Sequence, residues 1–167
     1  LRSGQTDNAL AAFKKAMADS LNPEIHRNAA TQCIRLYEGL QMTDAAIALT
    51  KRYLARFPGA EDAFAKKIRL GIYYYELKEF GRAVAQLRSL QPEAEPRDEA
   101  EIQYWIGKCY AEMGRFDEAI FEFLKVKYLC PPPQLPWAAT ALYEAGMAYL
   151  RLQRPDLVIL DVMMTYI

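Results

Sequence analysis

Residues 101–131 read EIQYWIGKCYAEMGRFDEAIFEFLKVKYLCP, and their apolar side chains recur at intervals of three and four. This spacing predicts two amphipathic helices joined by a short turn. Gly107 has no side chain at the point where the first helix meets the second, and Ala119 contributes only a methyl group there from the second helix. Gly114 is expected to end the first helix, because glycine adopts the left-handed cap conformation at little cost. Asp117 is expected to open the second helix, and Pro131 to close the unit.

The same pattern recurs along the chain in three aligned columns. Small residues form one column, at intervals of 37, 37, 36 and 39: Ala9, Ala46, Ala83, Ala119 and Val158. Tyrosines form a second column upstream, at intervals of 37, 36 and 39: Tyr37, Tyr74, Tyr110 and Tyr149. The third column lies three residues before each tyrosine: Ile34, Gly71, Gly107 and Gly146. Because all the columns follow the same unequal intervals, they indicate an internal repeat of helix–turn–helix units whose tyrosines belong to the core.

Residues that start and stop helices fall at the expected places between these units. Asn22-Pro23-Glu24 combines a helix cap, a first-turn proline and a first-turn acid. Asp98 and Glu101 fit a capping box. Pro92 is expected to shorten the second helix of its unit. The proline-rich stretch 131–136 is either a stiff loop or a ligand for a proline-reading domain.

The order of small residue, tyrosine, turn, alanine, aromatic and proline resembles the tetratricopeptide repeat, and residues 100–131 match it well. The resemblance implies an all-α fold: a right-handed superhelical solenoid of helix–turn–helix repeats. It covers residues 1–167 as a single repeat domain, with complete units at about 27–60, 64–97 and 100–133 and partial units at 1–22 and 139–167. Both ends look truncated, so targeting segments or further domains of a longer protein could lie beyond them.

In this family the first helix of each unit lines a concave groove that binds a protein or peptide segment. Carried over residue by residue, the resemblance places these side chains in that groove: Arg35, Ile68, Ile72, Tyr75, Tyr104, Lys108, Tyr143, Met147 and Arg151, with Thr31, Gln32, Glu101 and Glu112 beside them. An alternative stays open for Ile68, Ile72 and Tyr104, which could instead pack on neighbouring helices. The lysine, asparagine and arginine clamp by which chaperone-binding members grip a terminal carboxylate is missing at these positions.

Composition argues against several other classes of partner. Twenty-one basic residues balance twenty-one acidic ones, so no net field favours nucleic acid or an anionic membrane. No apolar stretch is long enough to span a bilayer. Phrases such as YLARFP at 53–58 and LYEAGMAYLRL at 142–152 resemble repeat domains of bacterial envelope proteins, namely the TolA-binding protein and the repeat lipoprotein of the β-barrel assembly machine. Localisation stays open between the envelope or periplasm and the cytoplasm.

No pattern of catalytic, metal-binding or cofactor-binding residues is apparent, so we expect no enzymatic activity, no metal and no cofactor. The single histidine, His26, lacks partners at ligand spacing and is interpreted as a solvated surface residue. Residues 154–164, RPDLVILDVMM, resemble the third strand of a response-regulator receiver, in which Asp161 would accept a phosphoryl group. A receiver would also need an acidic pair and a strand–helix unit upstream, where the repeats lie, so the second helix of a repeat is the preferred interpretation.

Two functional classes follow from the sequence. The first is an interaction scaffold that binds a protein segment in its groove, in a bacterial envelope assembly. The alternative is an architectural or regulatory repeat segment of a larger protein, or one that forms a homodimer through exposed repeat ends.

Overall fold

A computed structural model describes residues 2–19, 21–128, 130 and 135–152. Within these ranges the chain is built of α-helices and contains no β-strand. The helices are α1 (Arg2–Asp19), α2 (Pro23–Gly39), α3 (Thr43–Arg56), α4 (Ala63–Glu76), α5 (Phe80–Leu90), α6 (Pro96–Glu112), α7 (Phe116–Tyr128) and α8 (Leu135–Arg151). The predicted all-α, helix–turn–helix architecture is therefore confirmed.

The helices form two compact units, α1–α4 and α5–α8, with the boundary between Leu77 and Lys78. In the first unit each helix packs against the next one along the chain. In the second unit consecutive helices also pack together, and α6 contacts α8 across α7. The predicted repeat 64–97 supplies α4 to one unit and α5 to the other. That all the repeats act as a single domain stays a prediction.

Close approach of α6 and α7 depends on Gly107. A Cβ atom added there would lie 2.7 Å from both Cδ1 and Cε1 of Phe123, well inside van der Waals contact. Phe123 and Ala119, which face α6 from α7, are both fully buried. The predicted reason for glycine at this position is confirmed.

The turns between the two helices of a repeat share a left-handed residue, four positions after the column tyrosine. Gly114 has φ +73°, while Gln41 and Lys78 adopt φ values of 56° and 61° at the equivalent positions. After Gly114, the Arg115 N–H donates to the Tyr110 carbonyl at 2.9 Å, which satisfies a free carbonyl at the end of α6. The predicted cap at Gly114 is confirmed, and the same backbone turn recurs where the sequence has no glycine.

The column tyrosines are buried, as expected of a core, and three of them carry a cation from the preceding repeat. Lys14 Nζ and Lys51 Nζ each lie 5.6 Å from a ring centroid, those of Tyr37 and Tyr74 respectively. Arg88 lies over Tyr110 and donates a hydrogen bond of 2.9 Å to its hydroxyl. Lys14, Lys51 and Arg88 follow one another at intervals of 37 residues. These cation–π contacts, each worth about 0.5–1 kcal/mol when exposed, help to fix the register of successive repeats.

Helix boundaries confirm most of the predicted signals and correct one. Asn22 caps α2, since its side-chain oxygen accepts from the Glu24 N–H at 2.9 Å. As expected, α5 ends before Pro92, and a short 3-10 helix, Gln91–Glu93, follows it. The predicted capping box at Asp98 is wrong, because α6 already begins at Pro96, whose fixed φ suits the first turn.

Several predictions lie outside the described residues. These are the position of Val158, the closing role of Pro131, most of the proline-rich stretch, the end of the last repeat and the receiver-like segment 154–164. Among the described helices, none is long and apolar enough to cross a membrane.

Candidate functional site

Five of the residues predicted to line the groove meet between α6 and α8, the first helices of two successive repeats. They surround an open cavity of about 240 Å³, which we call the α6–α8 groove. Its principal side chains are Lys108, Glu112, Phe116, Tyr143, Glu144, Met147 and Arg151. The two helices pack directly against one another in the second unit, so their facing side chains form a continuous surface.

An ion pair joins the two walls of this groove. Lys108 Nζ lies 2.9 Å from Glu144 Oε1, and each side chain is only about one-fifth exposed (20% and 21%). Partial burial reduces screening by water, so this pair is better positioned to hold α6 and α8 together than a fully exposed one. Glu144 was missed in the sequence; the signal was its spacing of 36 residues from Lys108, about one repeat.

The exposed part of the groove is aromatic and aliphatic. Tyr143 is 66% exposed, and Met147 beside it is half-buried. The Arg151 guanidinium lies 5.7 Å from the ring of Phe116, a side chain that sequence reasoning also missed. Such a surface offers apolar anchoring groups with charged groups around them, a composition that suits a protein or peptide ligand.

Tyr104 belongs to the interior rather than to the exposed groove. Only 8% of it is exposed, and its ring centroid lies 5.0 Å from Trp137, 5.5 Å from Trp105 and 5.9 Å from Phe123. Burial, with a further contribution from the nearby Glu144 carboxylate, raises the pKa of the Tyr104 hydroxyl. The aromatic cluster therefore belongs to the packing of the second unit.

The first unit has a matching cavity of about 340 Å³ between α2 and α4, which we call the α2–α4 groove. Arg35, which the resemblance assigned to the groove, lines this cavity and is exposed. Glu38 accepts two hydrogen bonds, from Arg69 Nε at 2.7 Å and from the Tyr73 hydroxyl at 2.6 Å. Burial alone would raise the pKa of Glu38, but these donors and the positive charges of Arg69 and Arg35 outweigh it and lower that pKa. The ionised carboxylate therefore ties α2 to α4.

Ile68 and Ile72, which the resemblance also placed in the groove, have little accessible surface. They are 2% and 3% exposed, whereas Tyr75 is half-buried. This burial favours the alternative that the two isoleucines serve packing. Arg69 and Tyr73, each one position further along α4, line the α2–α4 groove instead.

Nothing in the described ranges gathers three or more potential metal-binding side chains. His26 is half-buried rather than solvated, with its ring centroid 5.6 Å from that of Phe57. This departure from the prediction has a physical cause, because the ring lies among α1, α2 and α3 rather than beside a single helix.

Comparison with known proteins identifies both a sequence match and a shared fold. Residues 100–133 match the family described as Tetratricopeptide repeat. Among solved structures, MamA AMB-1 is 22% identical with a TM-score of 0.66, and the alignment covers 94% of this chain and 85% of that one. TPR-like repeats of a kinesin light chain from Podospora anserina are 16% identical, with a TM-score of 0.70 and coverages of 97% and 87%.

The apo form of RapI aligns with a higher TM-score of 0.80, at 15% identity, over 95% of this chain and 47% of that one. At these identities the likeness shows a common fold. Among curated proteins, none matches this sequence.

Proposed function

We propose that this chain, whose residues 100–133 match the tetratricopeptide repeat, binds a segment of another protein in the grooves between the first helices of its repeats. Proteins with such repeats are in general non-enzymatic interaction scaffolds. We propose the same of this chain, without catalytic activity of its own.

The α6–α8 groove carries this proposal, and Tyr143 is its central observation. An aromatic side chain that is 66% exposed on a first helix presents a large apolar area to a ligand at small cost in conformational entropy. Met147 can adapt its shape to an incoming side chain, because its unbranched thioether has several accessible rotamers. A cavity of about 240 Å³ is large enough for one or two side chains of a bound segment.

Charged groups around the groove support a specific register for the ligand. Arg151 and Glu112 are exposed at its rim, while the Lys108–Glu144 pair lies deeper. Rim charges contribute mainly to association rate and orientation, whereas the apolar centre contributes most of the binding free energy. The α2–α4 groove, with its exposed Arg35, supplies a second binding surface of mixed character.

A peptide-display selection on the chain, followed by affinity measurements with the selected peptides, tests the proposal. Tyr143→Ala should weaken binding by about 2 kcal/mol, or roughly 30-fold, because truncating an aromatic anchor commonly costs that much. Phe121→Ala is the matched control, since Phe121 is similarly exposed (61%) but lies on the second helix α7. Circular dichroism of both variants should match the parent.

The comparison is informative because both substitutions remove a similarly exposed aromatic side chain, but from different helices. Equal binding by the Tyr143→Ala variant and the parent, with loss of binding in Phe121→Ala, would move the binding surface away from the groove. If no peptide is selected and the chain sediments as a dimer that Phe121→Ala dissociates, the self-associating alternative replaces the scaffold.

We further propose a bacterial envelope assembly as the setting. The support for it is the likeness of segments 53–58 and 142–152 to repeat domains of envelope proteins. The gene's complete open reading frame tests this point directly. A lipoprotein or secretion signal upstream would support the envelope, and a fused kinase, receiver or transferase domain would support the regulatory alternative.

A further inference from the structure

A second cleft in the first unit shares no lining residue with the α2–α4 groove. It consists of two adjoining cavities of about 360 Å³ each, between the second helices α1 and α3, with α2 contributing the residues between them. Met17, His26, Leu49 and Arg52 line both cavities. We call this continuous feature the α1–α3 cleft.

The lining of the cleft has an unbalanced charge. Lys14 lines one cavity, Arg56 lines the other, and Arg52 lines both, whereas none of the aspartates and glutamates that the structure describes lines either. Arg52 is exposed, and its guanidinium makes no hydrogen bond or ion pair with any residue that the structure describes. Lys14 lies over the Tyr37 ring and Arg56 over the Phe57 ring, which leaves their N–H donors available. The cleft is therefore an electropositive site whose principal cation is unpaired.

His26 provides an independent polar feature at the same place. Its Nδ1 atom is shielded from solvent and has no hydrogen-bond partner among the described residues. Because a ligand in the cleft cannot reach a shielded atom, the other atoms of the His26 side chain are the ones that line the two cavities. The imidazole therefore forms part of the wall of the cleft.

The remaining lining is largely aliphatic, with Tyr37 in one cavity and Tyr53 in the other. Met17 and Leu49 line both cavities, and small alanine side chains from α2 and α3 leave room between them. Cavities of this size hold small ligands, and an apolar lining with a few convergent polar groups is typical of such sites. The cleft thus brings cationic and aliphatic side chains together around one space.

We propose that the α1–α3 cleft binds an oxyanion carried on a short aliphatic chain, with Arg52 holding the anionic head, Met17 and Leu49 contacting the chain, and the His26 ring beside them as part of the wall. The planar guanidinium of Arg52 can donate two parallel hydrogen bonds to a carboxylate or a phosphate. This activity is separate from protein binding in the α2–α4 and α6–α8 grooves.

Nuclear magnetic resonance provides a selective test, because the chain has one histidine. The imidazole resonances of His26 are followed at one fixed pH during titration with sodium octanoate and with octyl phosphate. We expect a saturable shift with at least one of them, and the tighter of the two identifies the head group. Acetate tests the head without the chain, and octan-1-ol tests the chain without the charge. Both should bind at least about tenfold more weakly, because each lacks one of the two contributions.

Arg52→Gln should weaken binding of the preferred anion by about tenfold or more, since it removes the unpaired cation. Arg82→Gln is the matched control, because it makes the same change at an exposed arginine that lines neither cavity and should leave the affinity unchanged. Circular dichroism should confirm that both variants keep the parent's helicity. The proposal is overturned if neither anion gives a saturable shift, if octan-1-ol binds as tightly as octanoate, or if Arg52→Gln binds like the parent.

Discussion

Replacing Gly107 with alanine should destabilise the second unit, although alanine is the better helix former. The new Cβ would lie 2.7 Å from two ring carbons of Phe123 and 3.1 Å from a third. Carbon atoms in contact prefer about 3.5–4.0 Å, so the ring or α7 has to move by nearly 1 Å. Phe123 is fully buried and has the Tyr104 ring 5.9 Å away. It therefore cannot move without disturbing the aromatic cluster.

Two opposing terms set the size of the effect. Overpacking in a well-packed core typically costs about 1–3 kcal/mol. Because the obstructing group here is a rigid ring, we expect a cost in the upper part of that range (~3 kcal/mol). Replacing a helical glycine by alanine contributes about 1 kcal/mol in the other direction. We therefore expect Gly107→Ala to lower the free energy of unfolding by about 1–2 kcal/mol.

Urea denaturation followed by circular dichroism measures the effect, with Gly81→Ala as the matched control. Gly81 also lies in a helix, but a Cβ there would meet nothing within 4 Å, so that variant should be unchanged or stabilised by up to about 1 kcal/mol. The two variants should differ by about 2 kcal/mol. Because repeat chains can unfold in steps, the comparison requires an unchanged m-value.

A double-mutant cycle with Phe123→Leu identifies the clash itself. In the leucine background, Gly107→Ala should cost less by about 1 kcal/mol, because the side chain that obstructs the Cβ is smaller. If Gly107→Ala instead stabilises the chain as Gly81→Ala does, α6 and α7 are not held together through this contact. The reason given for the glycine would then be wrong.

Two further predictions concern stability. Gln41→Gly should raise the thermal midpoint, because Gln41 holds φ 56° and the left-handed conformation costs a non-glycine residue about 1 kcal/mol. Gly114→Gln should lower the midpoint for the same reason. An unchanged midpoint in both variants would refute backbone strain at this turn. The pKa of Glu38 is lowered from 4.5 in the folded chain, so its contribution to stability is present above that value and lost as pH falls through the folded pKa. Glu38→Gln should therefore reduce the loss of stability between neutral and acidic pH in urea titrations, whereas an identical pH profile would contradict the role of the Arg69–Glu38 pair.

Sequence periodicity was sufficient for the repeat and for much of its internal packing. The buried tyrosine column, the glycine at the α6–α7 contact and the left-handed cap at Gly114 were all predictable, because each depends on a local requirement that recurs at the repeat interval. Helix starts were less secure, as the wrong capping box at Asp98 illustrates. Helix α6 instead begins at Pro96, because proline has the stronger preference for the first turn of a helix.

The predicted site residues fall into two groups, those that line a cavity and those that are buried in the core. Lys108, Tyr143, Met147 and Arg151, which the resemblance assigned to the groove, all line one cavity in the second unit. Whether these residues bind a partner stays a prediction. In α4, Ile68 and Ile72 are buried, and Arg69 and Tyr73 line the α2–α4 groove. A shift of one position turns a side chain by about 100° around a helix, enough to exchange a groove residue for a core residue.

The sequence by itself determined the helices, their pairing into repeats and the small contacts that let each pair approach, because these depend on residues close together in the chain. Only the tertiary structure decided which groups meet between repeats: Glu38 with Arg69, Lys108 with Glu144, and the cation above each of three column tyrosines. It also brought Arg52 and His26 to one cleft. These partners lie on different helices, and their meeting depends on the angle and register at which neighbouring helices pack, which periodicity within one helix does not specify.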